Sequence, residues 1–247
     1  MVAPPAPFIV WQAMHCTMKT AWPRRAGSCA GSPAATLVLT ALRQLAAAEP
    51  DIESTREQWA AAGVLVNELA RPALALNLPG PTGAEAGEPT YLSLRRLLRS
   101  PPAWGVIGCP VFVCENPNLL AIAADQLGPR CAPLVCTDGM PAAAQRVLLG
   151  QLRAAGAVLH YHGDFDWPGL RIGNLMLREH DARPWRFSTA DYYAAVRGAP
   201  RPGRLLDDAA VSALWDNALA GAMLAERLAI DEEGLAEVLL GDLNQSG

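Results

Sequence analysis

The sequence predicts an α/β protein in which a parallel sheet of about four strands is flanked by helices, with a small mainly helical N-terminal part and a helical C-terminal extension. Three observations support this class. Short apolar runs alternate with helix-length segments from residue 106 onward. Turn residues separate these runs. The 247 residues are 51% hydrophobic, enough for the core of one large domain with a smaller companion.

The first hundred residues differ in pattern from the rest of the chain. Residues 1–33 are rich in Pro, Gly, Ser and Trp without periodicity, which predicts a disordered, irregular leader. Residues 34–100 form a small helical or mixed region. The elements predicted in it are helices at 35–48 and after a capping box at 54–57, short strands within 64–78, and a helix at about 92–99.

Strands and helices alternate regularly over residues 101–197, which we assign to one α/β domain. The predicted strands are 111–114, 132–137, 157–163 and 184–187, and the predicted helices are 118–127, 142–155, 168–180 and one that starts at 188–191. Such alternation predicts parallel strands. Residues 198–247 follow as a C-terminal extension, in which 205–242 predict two or three helices.

The charged residues exclude several chemistries. The chain has 20 Lys plus Arg and 24 Asp plus Glu, a net charge of −4, and Lys19 is its single lysine. Phosphate-binding loops of the G-x-x-x-x-G-K type, pyridoxal Schiff bases and lysine nucleophiles need a lysine in an ordered site, and Lys19 lies in the irregular leader. Net acidity argues against a basic nucleic-acid coat, but it allows a local groove lined by arginine.

The chain shows no targeting or metal-binding cysteine pattern. No apolar run approaches the ~18 residues of a membrane span, and no signal peptide is present, so we expect a cytoplasmic protein without a membrane partner. Two C-x4-C pairs occur among the six cysteines. In Cys109–Cys114 the thiols would lie roughly 16 Å apart along an extended strand, too far to share one zinc ion. Buried, reduced thiols are expected instead.

Acidic residues follow three of the predicted strands. Glu115 comes directly after the first strand and Asp138 one residue after the second, while Asp164 and Asp166 follow the third. Ligand-binding groups gather at the carboxyl ends of parallel strands, and residues two apart in an extended chain point the same way. Three carboxylates from two strand ends suit Mg²⁺. Each residue taken singly is better explained as a helix N-cap, but their coincidence favours a metal site.

Three runs of residues resemble the Toprim domain. They are Val-Phe-Val-Cys-Glu-Asn-Pro at 111–117, Thr-Asp-Gly-Met-Pro at 137–141 and His-Gly-Asp-Phe-Asp-Trp-Pro-Gly at 162–169. The pattern is similar to the A subunit of type IIB topoisomerases. It resembles more closely the Toprim-like domain of the nuclease subunit of Wadjet anti-plasmid systems. The resemblance covers about 88–193 and continues weakly through the C-terminal helices.

The resemblance implies a Toprim-like fold and a metal-dependent DNA endonuclease. Glu115, Asp164 and Asp166 match the catalytic and metal-binding acids, with Glu115 also a candidate general base, and the implied cofactor is Mg²⁺ or Mn²⁺. The accessory positions that match, or lie beside, this pattern are Asp138, Gly139 and Gly169. The implied partners are DNA, an SMC-like ATPase and kleisin-type accessory subunits, with a second copy of the chain as a further candidate.

The nucleophile is expected to be water. Related topoisomerases cut DNA with a tyrosine, but of the four tyrosines only Tyr91 precedes the Toprim-like part, and it lies too close to Glu115 for an intervening winged-helix domain. Hydrolysis is therefore favoured over strand passage. For phosphate and DNA binding, the candidates are Arg171, near the site in sequence, and Arg95 and Arg96 on a short helix, since guanidinium groups suit phosphate oxygens.

Two alternatives remain open from the sequence. His160, His162 and Asp164 spell the H-x-H-x-D of di-zinc hydrolases, and alternation would place both imidazoles on the Asp164 side. The remaining zinc ligands are missing, so we favour His162 as an accessory group beside the site. The other alternative is a non-catalytic module of Toprim-like fold that binds DNA or partners.

Overall fold

A six-stranded, mostly parallel sheet forms the centre of the part of the chain that the structure, a computed structural model, describes, namely residues 68–198, 204–206 and 209–244. Its strands are β1 (Ala73–Leu76), β2 (Thr90–Leu92), β3 (Pro110–Cys114), β4 (Leu134–Cys136), β5 (Val158–Tyr161) and β6 (Arg183–Pro184). They lie in the order β2-β1-β4-β3-β5-β6. Strands β4, β3, β5 and β6 pair in parallel, and β1 pairs antiparallel with β2 and β4. The predicted α/β class and the four parallel strands are confirmed.

Helices follow most strands, as the alternating pattern predicts. The α-helices are α1 (Leu94–Arg99), α2 (Pro117–Leu127), α3 (Ala143–Ala154), α4 (Trp167–His180), α5 (Thr189–Gly198), α6 (Leu219–Glu226) and α7 (Ala236–Leu243). Two 3₁₀ turns lie at Gly128–Arg130 and Glu232–Leu235, and a short hairpin pairs β7 (Arg204–Leu205) with β8 (Leu228–Ala229). The predicted helices at 118–127, 142–155 and 168–180 agree with α2, α3 and α4 to within one residue at each end.

Side-chain caps fix where the helices after the site strands begin. Asn116 caps α2 by accepting from the Asn118 N–H at 2.9 Å, with Pro117 at the first helical position. Asp166 caps α4 in the same way, and Pro168 follows. A cap satisfies a backbone donor that the helix cannot, and proline suits the first turn because its missing N–H is not needed there. The caps hold both helix starts against the strand ends.

The sheet is covered on both faces. On one face a buried apolar cluster joins the sheet to α2 and α7, with Leu119, Leu120, Leu239 and Leu243 each at most 1% exposed. Elsewhere, α3 packs against α1 and β1, while α4 packs against α3 and β5. Burial of this apolar area is the main stabilising contribution to the fold.

The structural unit starts earlier than the boundary expected near residue 100. Leu69–Gly247 group into one compact unit, and β1 and β2 belong to the same sheet as the later strands. The predicted leader at 1–33 and the predicted helices at 35–48 and after 54–57 lie outside the described residues. The C-terminal extension holds α6 and α7, as predicted, together with the β7–β8 hairpin. None of the described helices has both the length and the apolar character to cross a membrane.

The described cysteines are free thiols, as expected. Cys114, Cys131 and Cys136 are buried and Cys109 is partly exposed. Cys114 lies opposite Cys136 on neighbouring strands, and burial raises the pKa of the Cys114 thiol. The three buried thiols pack as small apolar side chains.

An aromatic cluster lies beneath the loop that follows β5. Phe187 is at its centre, with ring centroids 5.2 Å from His162, 4.9 Å from Phe165 and 5.0 Å from Trp215. The Trp215 indole N–H donates to the Phe187 carbonyl oxygen. Because aromatic side chains bury large areas in fixed geometries, this cluster defines the position of the loop above it.

His180, at the end of α4, is a buried titratable group with 6% of its surface exposed. Burial, with a further contribution from the charges of Arg146 and Arg153 on α3, lowers the pKa of His180 from 6.5 to about 4. Two ion pairs also join α3 to the C-terminal end of α4: Arg146 with Glu179 at 3.4 Å and Arg153 with Asp181 at 4.0 Å. His180 is therefore neutral in the folded protein near neutral pH.

The lowered pKa of His180 predicts acid sensitivity. Between pH 6.5 and 4 the unfolded chain binds a proton at this position that the folded chain does not, so the free energy of unfolding falls as the pH falls. At pH 5 we expect a loss of about 2 kcal/mol relative to pH 8 from His180 alone. Urea unfolding of the wild type and His180→Gln at both pH values measures it, and the variant should lose less stability. An identical loss in both proteins would refute the prediction.

Candidate functional site

Glu115 and Asp164 come together at the carboxyl ends of two neighbouring strands. Glu115 follows β3 and Asp164 follows β5, and these strands pair in parallel with Val113 opposite Tyr161. The Asp164 N–H donates to Glu115 Oε2 at 3.2 Å, although the residues are 49 positions apart. The structure thus brings together two of the three acids predicted from the sequence, for the reason predicted.

The Glu115 side chain sits against a buried tyrosine and a glycine. The Tyr161 hydroxyl donates to Glu115 Oε2 at 3.4 Å, and Tyr161 is fully buried. Gly163 passes directly beside this pair, since a Cβ at that position would overlap the Tyr161 hydroxyl and lie 2.7 Å from Glu115 Oε2. Sequence reasoning did not assign a role to either residue, and only the packing reveals that the carboxylate needs both.

Burial and mutual repulsion make both acids difficult to ionise. Burial, and then the charge of Asp164, raises the pKa of Glu115 to about 8. Burial, with a contribution from Asp166, raises the pKa of Asp164 to about 6. Carboxylates held together in a partly desolvated place repel each other, and a bound cation relieves that repulsion. The electrostatics therefore suit a site for a cation.

Asp166 makes hydrogen bonds to the start of α4 and to Arg204. Its Oδ1 accepts from the Gly169 N–H at 2.8 Å, which caps α4, and its Oδ2 accepts from Arg204 Nη2 at 2.8 Å. Each carboxylate oxygen accepts one hydrogen bond in this arrangement, and the convergence of Asp164 and Asp166 on one ion stays a prediction. Asp166 is the N-cap of α4. Its charge also contributes to raising the pKa of Glu115 and Asp164.

The acids fit a cation that keeps most of its water. In residues 68–198, 204–206 and 209–244, no three His, Cys, Asp or Glu side chains are arranged to hold a metal ion. Glu115 Oε1 and Asp164 Oδ2 make no hydrogen bond within that part of the chain. Two carboxylate oxygens with water in the other positions is a coordination that Mg²⁺ accepts. Glu115 and Asp164 are thus the residues that would hold the ion.

Glu232 is a fourth acid at the site, and sequence reasoning missed it. It lies in the 3₁₀ turn Glu232–Leu235 with none of its surface exposed. Its two carboxylate oxygens accept from the N–H groups of Glu115 at 3.2 Å and Asn116 at 2.7 Å. Burial raises the pKa of Glu232, and the two N–H groups oppose that shift. The available signal was an acidic run, Asp231 to Glu233, after an apolar stretch.

Arg204 is another residue that the sequence did not single out. It lies in β7 with 60% of its side chain exposed, and its guanidinium contacts Asp166. Of the arginines predicted to bind phosphate, Arg95 and Arg96 are exposed on α1, and Arg171 is half-buried on α4. Arg204 adds a cation that contacts one of the site carboxylates directly.

His160, in β5, and His162, just after β5, make their contacts with aromatic rings and a backbone carbonyl and not with the acids, which corrects the expected geometry. β5 ends at Tyr161, so the strand alternation does not continue to Asp164. His160 packs against Phe112 with ring centroids 5.5 Å apart. His162 is fully buried, its Nδ1 lies 2.9 Å from the Trp185 carbonyl oxygen, and burial lowers its pKa to about 4. His162 is a buried structural residue here, and the di-zinc alternative gains no ligand set among the described residues.

The accessory residues line the site mainly through their backbone. Asp138 is exposed with φ 54° in the turn after β4, and the next residue, Gly139 with φ 74°, donates its N–H to the Glu115 carbonyl oxygen at 3.4 Å. Gly169 lets α4 approach the loop, because a Cβ there would overlap the Asp164 carbonyl oxygen. Both predicted glycines therefore lie beside the site, Gly139 through the turn and Gly169 through close packing.

A known family model matches the part of the chain that contains this site. Residues 90–243, more than half of the chain, match the family model described as "Protein of unknown function C-terminus (DUF2399)". The chain belongs to this DUF2399 family. Residues 30–80 match the model described as "Protein of unknown function N-terminus (DUF3323)", and no curated protein matches the sequence. The DUF2399 region runs from β2 to α7, so it includes Glu115, Asp164, Arg204 and Glu232.

Proposed function

We propose that the protein is a Mg²⁺- or Mn²⁺-dependent endonuclease that hydrolyses phosphodiester bonds in DNA. The observation that carries this proposal is the meeting of Glu115 and Asp164, with 3.2 Å between the Asp164 nitrogen and Glu115 Oε2 at the ends of β3 and β5. A divalent cation would relieve the repulsion between these carboxylates and their acidic neighbours. The order of the acids along the chain is that of the Toprim pattern.

Each side chain has a defined part in the proposed reaction. Glu115 and Asp164 hold the ion, which when bound would supply positive charge to the phosphate and activate a water molecule. Glu115 is also the candidate general base for the attacking water, a role that the Toprim resemblance implies. The exposed guanidinium of Arg204 is available to a phosphate oxygen at the edge of the site.

We further propose that the protein works as the nuclease subunit of a Wadjet-type anti-plasmid complex. The support is the resemblance of the three sequence runs at 111–117, 137–141 and 162–169 to the Toprim-like domain of that subunit. DNA, an SMC-like ATPase and kleisin-type accessory subunits would then be the partners, with a second copy of the chain as a further one. These partners would supply a large part of the affinity for DNA, since the chain carries a net charge of −4.

Nicking of supercoiled plasmid tests the catalytic proposal. The purified wild type with Mg²⁺ or Mn²⁺ should convert supercoiled DNA to open circles, and chelation of the metal should stop it. Glu115→Gln and Asp164→Asn should each lower the rate by at least about 100-fold, because each removes one of the two charges that hold the ion. Gel quantification of the open-circular form over time gives the rates.

Matched substitutions elsewhere on the surface provide the controls. Asp125→Asn on α2 and Glu237→Gln on α7 change the same groups at exposed positions, and both should nick like the wild type. Equal nicking by the wild type, Glu115→Gln and Asp164→Asn would show that the activity does not belong to this site.

The second candidate function is a non-catalytic module that binds DNA or partners through the same fold. The observation that favours it is the engagement of both Asp166 oxygens, by the start of α4 and by Arg204. The two functions differ in one result. A non-catalytic module would bind DNA or the accessory subunits equally well with and without the Glu115→Gln substitution, and neither form would nick.

A further inference from the structure

We infer that Glu232 is a positioning residue that holds Glu115 and Asp164 in place, so that the C-terminal segment 204–244 is an integral part of the metal site. This inference rests on the proposed function in one respect, namely that the two acids bind the ion. It adds a residue outside the three sequence runs that resemble the Toprim pattern. It also assigns a role to a buried acid whose ionisation the proposed reaction does not use.

Glu232 makes hydrogen bonds to both strand ends at once. One carboxylate oxygen accepts from the Glu115 N–H at 3.2 Å and the other from the Asn116 N–H at 2.7 Å. Its own N–H donates to Asp164 Oδ1 at 2.6 Å. A single residue thus fixes the backbone that carries Glu115 and the side chain of Asp164. These bonds have no competition from solvent, because Glu232 is fully buried.

The neighbouring contacts hold Glu232 in that position. Phe165 and Ile230 form an antiparallel bridge, with the Phe165 N–H donating to Ile230 O at 2.9 Å and the Ile230 N–H donating to Phe165 O at 3.3 Å. Glu233 accepts from the side-chain amide of Asn116 at 2.7 Å. The residues on either side of Glu232 are therefore attached to the loop after β5 and to the start of α2. The carboxylate has little freedom to turn away.

The arrangement also affects how strongly the site attracts a cation. Glu115 and Asp164 lie near enough to Glu232 for their charges to raise its pKa. Removing the carboxylate would leave the N–H groups of Glu115 and Asn116 without this partner. The bond to Asp164 Oδ1 comes from the backbone N–H of Glu232, so its loss would be only indirect. Residues that orient metal ligands typically change metal affinity by about 10–100-fold when substituted. We therefore expect the loss to appear as weaker metal binding, not as a change in the chemical step.

Metal binding and amide exchange together test the inference. Titration with Mn²⁺, followed by the electron paramagnetic resonance of the free ion, should show about tenfold weaker binding by Glu232→Gln than by the wild type. The exposed Glu237→Gln on α7 is the control and should bind like the wild type. Hydrogen–deuterium exchange should show faster exchange of the Glu115 and Asn116 amides in Glu232→Gln. Nicking at saturating Mn²⁺ should recover most of the wild-type rate.

The outcomes separate this inference from the proposed function. Unchanged Mn²⁺ affinity and unchanged exchange at Glu115 and Asn116 in a folded Glu232→Gln would overturn the positioning role. A wild type that binds Mn²⁺ and never nicks would refute the nuclease, while the binding and exchange data would still judge Glu232. A wild type that binds no Mn²⁺ would refute both the proposed metal site and the positioning role of Glu232. The glutamine keeps the shape of Glu232, and Glu232→Met, which lacks both acceptors, should show the larger increase in exchange.

Discussion

Alanine at Gly163 is expected to abolish metal-dependent nicking while leaving the fold intact. A Cβ at this position would overlap the Tyr161 hydroxyl and lie 2.7 Å from Glu115 Oε2, so the carboxylate must move. Catalysis depends on placing charged groups within a fraction of an ångström. We expect the nicking rate to fall at least about 100-fold and Mn²⁺ binding to weaken with it. The plasmid assay and the Mn²⁺ titration measure the two effects.

Two further variants make the Gly163 prediction specific. Gly150 lies in α3 with open space around the position of its Cβ, so Gly150→Ala should leave activity unchanged. Tyr161→Phe removes the hydroxyl that the new methyl group would overlap, and adding it to Gly163→Ala should restore part of the activity. Full activity of Gly163→Ala would mean that the Glu115 position is not critical.

Phe187→Ala is expected to be the most destabilising single change at the aromatic cluster. Phe187 is 1% exposed and contacts the rings of Tyr161, His162, Phe165 and Trp215. Removing a buried phenylalanine side chain costs about 3–5 kcal/mol, because transfer free energy is lost and a cavity remains. Urea unfolding monitored by tryptophan fluorescence should show this loss in the free energy of unfolding.

The Phe187 variant should also affect the site above it. Phe165 and Tyr161, which both contact Phe187, flank the loop that carries Asp164, so Mn²⁺ binding should weaken even below the unfolding temperature. Tyr91 provides a control, since it is 68% exposed on β2 and Tyr91→Ala should change the free energy of unfolding by no more than about 0.5 kcal/mol. A stability loss for Phe187→Ala no greater than that of Tyr91→Ala would contradict the role of the cluster.

The elements around the site could be predicted because local patterns control them. The apolar run ending at Cys114 and the run ending at Tyr161 each precede acidic residues, and parallel strands bring their carboxyl ends to the same edge. Asn116 with Pro117, and Asp166 with Pro168, are local signals for the starts of α2 and α4. The meeting of Glu115 and Asp164 therefore followed from strand order and periodicity.

Other features of the site could not be predicted because periodicity does not extend beyond a strand. The alternation that placed His160 and His162 on the Asp164 side fails after Tyr161, where β5 ends. His162 then enters the aromatic cluster, and Asp166 turns to the helix start and to Arg204. The five residues between β5 and α4, 162–166, set the direction of the side chains that follow the strand, and no local pattern specifies that direction.

By itself, the sequence determined the α/β class, the parallel strands and the two acids that meet at their ends, since hydrophobic periodicity and helix caps act over a few residues. Only the tertiary structure decided which groups surround those acids. Glu232 reaches the Glu115 amide from 117 residues away, and Arg204 reaches Asp166 from 38. Contacts at such separations depend on how the C-terminal segment packs, through the Phe165–Ile230 bridge, on the loop after β5. They are set by the shape of the folded sheet, which no short stretch of residues encodes.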